Sequence, residues 1–312
     1  MSDPPKLAGL ESHRVPLLPP ACYYIPDFIT SEEEAYLLRK VGETPQPKWK
    51  TVGSGRRLCY WGGTMSKNSV LLPEPMPDWL STFPDIVERI DAFLDAAAEA
   101  PSGDAKGKDR VLGINQVLVN EYHSGQGISP HEDGPAFRPL VATLSLGAPT
   151  ILDIHHYVSP TAPSPPMIAT EGDSGRAIAA VPLGHVLLMP RSLFILTGSL
   201  YSSHLHGIAA RERDSFIAPE REEKEAIASD VAAPDQAAAG DEGGADQLPR
   251  STSKAKADAN VVANASLLGL DALPRDAFTY ERGTRVSLTF RHANKVLKGG
   301  AFGLAAGGLR RS

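Results

Sequence analysis

His131 and Asp133 stand two positions apart in Ser129-Pro-His-Glu-Asp-Gly134. On an extended segment, positions i and i+2 share a face, so one imidazole and one carboxylate converge on a point. One more histidine would complete a 2-His-1-carboxylate set, which binds non-haem Fe(II) and leaves three coordination positions open. An isolated H-x-D also arises in ordinary surface turns, so the third ligand carries the weight. Ser203-His-Leu-His-Gly-Ile208 offers His204 and His206, again on one face of a strand. His155 and His156 are adjacent and would face opposite ways. His13, His123, His185 and His292 lack a partner at ligand spacing and read as structural or solvated. Structural zinc is disfavoured, because such sites close with four ligands that usually include Cys.

An Fe(II) centre of this kind usually draws two further electrons from a co-substrate. Arg285, Ser287 and Arg291 share one strand face in Arg285-Val-Ser-Leu-Thr-Phe-Arg291. Two inward arginines beside Leu288 and Phe290 need anionic partners, since an unpaired buried charge is costly. A dicarboxylate is one such partner, held by bidentate guanidinium forks. Structural salt bridges to Asp or Glu are the other. Asn120 and Tyr122 share a face as well, offering an amide and a phenol. Arg56, Arg57, Tyr60 and Trp61 put basic beside aromatic groups, which suits phosphate contact and base stacking. The same four residues also suit a surface hairpin with a packed Trp.

Elements must position these groups. Ser31, followed by Glu32, Glu33 and Glu34, reads as the N-cap of a helix. Ile86, Ile90, Phe93, Leu94 and Ala97 recur at helical spacing within about 79–100, behind an N-cap at Asp78. From Gly113 onward the texture changes to short strands: 113–122, 140–146, 150–155, 185–189, 192–197 and 284–291. Gly and Pro clusters punctuate them, which indicates a β-sandwich or barrel.

Composition bounds the rest. The chain has 312 residues, 42% hydrophobic and 22% charged, the balance of a globular protein. No run of about 18 apolar residues is present, so no membrane span is expected. The start, MSDPPKLAGLESHR, lacks the apolar run of a signal peptide. Two cysteines, Cys22 and Cys59, fit a reducing compartment, cytoplasm or nucleus. The net charge of −6 is concentrated in residues 221–250, which hold eight acidic and three basic residues, a balance of −5. The remainder is near neutral, so charge does not exclude a nucleic-acid partner. Residues 214–276 are expected to form a largely disordered acidic insertion, with a transient helix near 221–233. The other divisions are a flexible N-terminus, 1–19, and a helical, lid-like extension, 20–110. A core follows at 111–213 and 277–298, then a tail at 299–312.

Asn120-x-Tyr122, His131-x-Asp133, a distal His and Arg285-x-Ser287-x-x-x-Arg291, in that order, resemble the AlkB-type Fe(II)/2-oxoglutarate dioxygenases. The text NQVLVNEYHSGQGISPHEDGP, LSLG, LHGIAA and RGTRVSLTFR looks closest to the sixth AlkB homologue of eukaryotes, as do RRLCYWGG and the opening YIPDFI. The likeness covers about 20–212 and 278–298.

The resemblance implies a mainly β fold with flanking helices, the double-stranded β-helix or jelly roll. It implies His131, Asp133 and His206 as iron ligands, His206 because it precedes Gly-Ile. It implies Arg285 and Ser287 on the far carboxylate of 2-oxoglutarate with Tyr122 nearby, and Asn120 and Arg291 at the keto-acid end. The reaction implied consumes O2 and 2-oxoglutarate, releases succinate and CO2, and hydroxylates a C–H. On an N-methyl group the product loses formaldehyde. The departure is the insertion, which puts 79 positions between His206 and Arg285. Such a loop costs only a few kcal/mol to close. Methylated DNA or RNA is the expected partner of a monomeric enzyme. The alternatives are a hydroxylase of proteins or small molecules, and a catalytically quiet binding protein. Only the nucleic-acid enzyme requires a positive groove beside the iron.

Overall fold

The computed structural model describes residues 6–98, 110–158, 167–168, 176–217, 259–270 and 277–297. Among these, strands β1–β18 and helices α1–α4 follow in chain order, the last helix, α4, being Gly198–Ser202 just before the strand that carries His204 and His206. The large sheet has the order β1 (Cys22–Ile25), β13 (Leu193–Thr197), β8 (Leu140–Gly147), β18 (Arg285–Arg291), β6 (Gln116–Tyr122), β3 (Arg56–Trp61), β2 (Lys50–Val52). A four-stranded sheet faces it: β12 (Gly184–Leu188), β9 (Thr150–His156), β14 (His204–Ile208), β7 (Ile128–His131). Every pairing in both sheets is antiparallel. Two facing antiparallel sheets with crossing connections make the double-stranded β-helix expected from the resemblance.

Period-two alternation divides the large sheet's two faces. Val286, Leu288 and Phe290 of β18, Val117 and Val119 of β6, and Leu144 of β8 enter one apolar core. That core is closed by α1 (Ser31–Gly42) and α3 (Ile86–Ala97), through Leu37, Val41, Ile86, Ile90 and Leu94. Each such side chain contributes about 1.5–3 kcal/mol on burial. The opposite parity, including Val141, Phe194 and Leu196, meets Leu152, Ile154 and Leu188 of the smaller sheet. The site lies on that inner parity. Asp91 of α3 accepts from the backbone N–H of Gly113 and Ile114 at 2.9 and 3.0 Å, which locks the entry into β6.

Several expectations are corrected. The N-cap of α1 is Thr30, whose hydroxyl accepts from Glu33 N while Glu33 accepts from Thr30 N. This capping box leaves Ser31 as the first helical residue. The helix expected at 79–100 is two, α2 (Asp78–Ser81) and α3, separated at Pro84, whose ring opposes a continuous helix. Pro77, not Asp78, precedes α2. The described part of the 1–19 segment is packed: Leu7, Leu10, Val15 and Leu18 are buried, with Leu10 in the helix-side core. The 20–110 extension is only partly helical, since β1, β2 and β3 belong to the large sheet. β4 (Gly63–Met65) and β5 (Leu71–Pro73) form a separate ribbon. A second ribbon joins β10 (Met167–Ile168) to β11 (Ile178–Ala179).

The insertion is shorter than 214–276. β15 (Arg213–Ile217) and β17 (Phe278–Glu281) pair antiparallel and close its base, and β16 (Asn260–Val261) joins β15. Phe216, Val262, Ala265 and Phe278 form a small core there. The Asn264 amide donates to Leu187 O at 2.8 Å and accepts from Leu187 N at 2.9 Å. It thereby covers the exposed edge of β12, a common way to blunt a sheet edge. The helix expected at 221–233 and the 299–312 tail lie outside the described residues. No helix among the described residues is long and apolar enough to cross a membrane.

Candidate metal and co-substrate site

His131 ends β7 and pairs with His206 on β14. Their ring centroids are 4.4 Å apart. Asp133 follows in a turn completed by Gly134 at φ +85°, a left-handed conformation that glycine adopts without strain. The Asp133 Oδ2 lies 3.9 Å from His206 Nε2. One ligand atom from each of His131, Asp133 and His206 falls within 4.8 Å of the others. Convergence comes from the turn as much as from strand parity, because the strand stops at His131.

The tautomers suit a cation. His131 Nδ1 donates to Ser129 O at 2.9 Å, which leaves Nε2 with its lone pair. Burial, then the neighbouring His131, push His206 down to about 4 against the opposing pull of Asp133, so it is neutral near pH 7. His204 is set apart: its Nδ1 donates to Ser199 O at 2.8 Å and its ladder partner is His156. His185 bonds Asp153 at 2.7 Å and His155 bonds Ala179 O at 3.1 Å, as structural histidines do.

β18 supplies the second constellation. Arg285 lies opposite Tyr122, Ser287 opposite Asn120, and Arg291 opposite Gln116. Arg285 is 4% exposed, and its Nη2 donates to Ser145 Oγ at 3.2 Å. Its Nε has no partner, and no carboxylate among the described residues lies within 4 Å. The salt-bridge reading of Arg285 is therefore replaced by an orphaned buried cation. Its guanidinium is 5.6 Å from the Tyr122 ring centre. Burial lowers its pKa and raises that of Tyr122. Arg291 sits at the other end. Its Nε donates to Gln116 Oε1 at 2.8 Å, and its Nη1 is 3.9 Å from Asp133 Oδ1.

A cavity of about 250 Å³ joins these groups. Asn120, Tyr122, His131, Asp133, His206, Arg285, Ser287 and Arg291 all line it. So do Arg56 and Tyr60, whereas Arg57 and Trp61 do not. The four lie on one strand, and parity splits them. Arg57 forms a bidentate pair with Glu121 at 2.6 and 2.9 Å and covers the Trp49 ring at 4.4 Å. Trp61 packs edge-on against Trp79 at 5.9 Å. Both are corrected to structural residues of the opposite face.

Residues that spacing did not single out complete the site. Leu118, Val141, Leu152, Leu188 and Phe194 form its apolar wall. Glu132, between two candidate ligands, accepts from the Tyr157 hydroxyl at 2.8 Å. A wider groove of about 1390 Å³ lies over the outer side of the smaller sheet, lined by Asp153, His155 and Leu205 among others. Arg56, His131 and Glu132 line both spaces. The groove is mixed in charge: Asp153 and Glu132 stand with Arg56 and Arg211, and Arg211 pairs with Asp214 at 2.9 Å.

Two imidazoles and one carboxylate share an apolar-walled cavity with a buried guanidinium that has no carboxylate partner among the described residues. Chemically this suits a non-haem iron oxygenase that uses a 2-oxoacid. The sequence profile of the 2OG-Fe(II) oxygenase superfamily matches residues 21–291, and the chain belongs to that superfamily. It is 31% identical over 297 residues to the "Probable RNA/DNA demethylase ALKBH6" of Danio rerio, covering 95% of this chain and 96% of that protein. Over 221 residues it is 32% identical to the "tRNA (carboxymethyluridine(34)-5-O)-methyltransferase ALKBH8" of Macaca fascicularis, 69% of this chain and 28% of that protein. The AlkB-type resemblance is thereby borne out. The enzyme is a 2-oxoglutarate-dependent dioxygenase using Fe(II), 2-oxoglutarate and O2.

Proposed function

We propose that His131, Asp133 and His206 hold the iron, and that Arg285, with Ser287 and Tyr122, takes the far carboxylate of 2-oxoglutarate. The orphaned Arg285 carries this reading. A buried cation without a carboxylate partner is costly, and a dicarboxylate removes that cost by bidentate pairing. Arg291 and Asn120 serve the end nearer the metal. When bound, Fe(II) supplies O2 activation, coupled to decarboxylation of 2-oxoglutarate to succinate and CO2. The chain's own work is to bind, orient and exclude. Ser129 O fixes the His131 ring, and the apolar wall keeps bulk water from the reacting C–H.

The substrate we propose is methylated DNA or RNA, undergoing oxidative demethylation. Hydroxylation of an N-methyl carbon gives an N-hydroxymethyl group, which leaves as formaldehyde and returns the N–H. The likeness to a probable RNA/DNA demethylase over nearly the full length of both chains supports this. An extruded base would reach the iron from the groove, passing between Arg56 and Glu132. A protein or small-molecule substrate is the second reading. The mixed charge of the groove favours it, since a polyanion would prefer a uniformly basic one. Both cysteines are free and buried, which suits action in the cytoplasm or nucleus.

The test is methyl loss, with formaldehyde release, from single- and double-stranded methylated DNA and RNA beside methylated peptides. Loss from one nucleic acid, absent with Asp133→Ala, is the expected result. Loss from peptides alone would overturn the nucleic-acid reading.

A further inference from the structure

Arg56 and Asn120 are joined in a way that the ligand and co-substrate assignments do not use. Leu58 lies opposite Asn120 in the β3–β6 ladder, so Arg56, two residues earlier on the same face, reaches Asn120 diagonally. Its Nη1 donates to Asn120 Oδ1 at 2.5 Å. A guanidinium has five donors and no acceptor. The amide oxygen of Asn120 must therefore face Arg56, and the NH2 must face away. Asn120 is 6% exposed and lines the iron cavity, and its NH2 has no acceptor among the described residues.

The two ends of an amide are chemically opposite. 2-Oxoglutarate presents only acceptor oxygens, two carboxylates and a keto group. An NH2 aimed at them donates, whereas a carbonyl aimed at them repels. Nothing else among the described residues sets the choice, since no other hydrogen bond to the Asn120 side chain is present.

We propose that Arg56 is a positioning residue for the co-substrate: it locks the Asn120 amide with its NH2 toward the cavity. This rests on the placement of 2-oxoglutarate beside Asn120. The Arg56 guanidinium also stands 5.9 Å from the Tyr122 ring centre, a ring that Arg285 approaches at 5.6 Å. No carboxylate among the described residues lies within 4 Å of Arg56. Its neighbour Arg57 shows the contrast: a structural arginine in this strand takes a carboxylate, Glu121.

The experiment is a double-mutant cycle on the affinity of the Fe(II)-loaded, oxygen-free protein for 2-oxoglutarate, measured by calorimetry. Arg56→Met removes the donors at similar length. Asn120→Leu removes the amide. Each is expected to weaken 2-oxoglutarate about 5–10-fold, the scale of one lost hydrogen bond. The double variant is expected to be no weaker than Asn120→Leu alone, because Arg56 acts only through the amide. Arg56→Lys keeps a donor and is expected to recover most of the affinity; Arg56→Leu, which also removes the donors, stands in should the Met variant not fold. Unchanged affinity in Arg56→Met, failure of Lys to rescue, or multiplied losses in the double variant would each overturn the proposal. Unchanged affinity in Asn120→Leu would instead overturn the co-substrate placement beneath it.

Discussion

His131 and His206 stand opposite each other across the β7–β14 ladder, their rings 4.4 Å apart, although 75 positions of chain separate them. A cross-strand pair is as rigid as the sheet that holds it. Replacing either with Ala is expected to lower Fe(II) or Co(II) affinity by more than about 100-fold, beyond the 10–100-fold typical of outer-shell changes. Metal titration with thermal melts of the metal-free protein checks this. A collapsed melting temperature would show the pair to be structural instead.

Arg285 should respond oppositely in stability and binding. Its guanidinium is buried without a carboxylate, so the protein free of 2-oxoglutarate bears an uncompensated cost. Arg285→Met is expected to leave the melting temperature unchanged or raised, while weakening 2-oxoglutarate by about 10–150-fold, the scale of lost charged hydrogen bonds. A destabilised variant with unaltered co-substrate affinity would return Arg285 to a structural role.

Arg57 is expected to do the reverse. Arg57→Met removes a bidentate partner from Glu121, which is 7% exposed. Stability should fall by about 1–3 kcal/mol in a denaturant melt, with turnover per folded molecule unchanged. Lost turnover at full stability would place Arg57 back among substrate contacts.

These contrasts show what the sequence made legible. Arg285, Ser287 and Arg291 were readable because strict alternation with Val286, Leu288 and Phe290 reveals both faces of β18 at once. The same parity runs through Arg56–Trp61, where Arg56 and Tyr60 fall on the cavity face and Arg57 and Trp61 on the other, but basic and aromatic residues on both faces mask it. His204 and His206 share a face, and only register sets one of them opposite His131; register is a non-local property. The packed N-terminal turn, Ala8–His13, has too few residues to show a period. Asn264 was hidden for another reason: its role is to pair with a strand edge 77 positions away.

The insertion gives a prediction with a boundary in it. Replacing residues 219–257 with a flexible linker of about 12 residues, enough for a parallel crossover, is expected to leave folding and 2-oxoglutarate turnover intact. Extending the deletion through 270 removes Val262, Asn264 and Ala265, which are all fully buried. That variant should lose stability or aggregate through the uncovered β12 edge. Melts and size-exclusion profiles of both deletions decide it, and equal behaviour would show the 259–270 segment to be dispensable.

The proposed site consumes 2-oxoglutarate at an iron held by His131, Asp133 and His206. The most direct measurement is succinate formed from 2-oxoglutarate under air, with Fe(II), against Asp133→Ala as the blank. Methylated single- and double-stranded DNA and RNA are added in turn. The expected result is iron-dependent succinate above the blank, stimulated by one of those nucleic acids. Equal succinate from the wild type and the Asp133→Ala variant under every condition would contradict it.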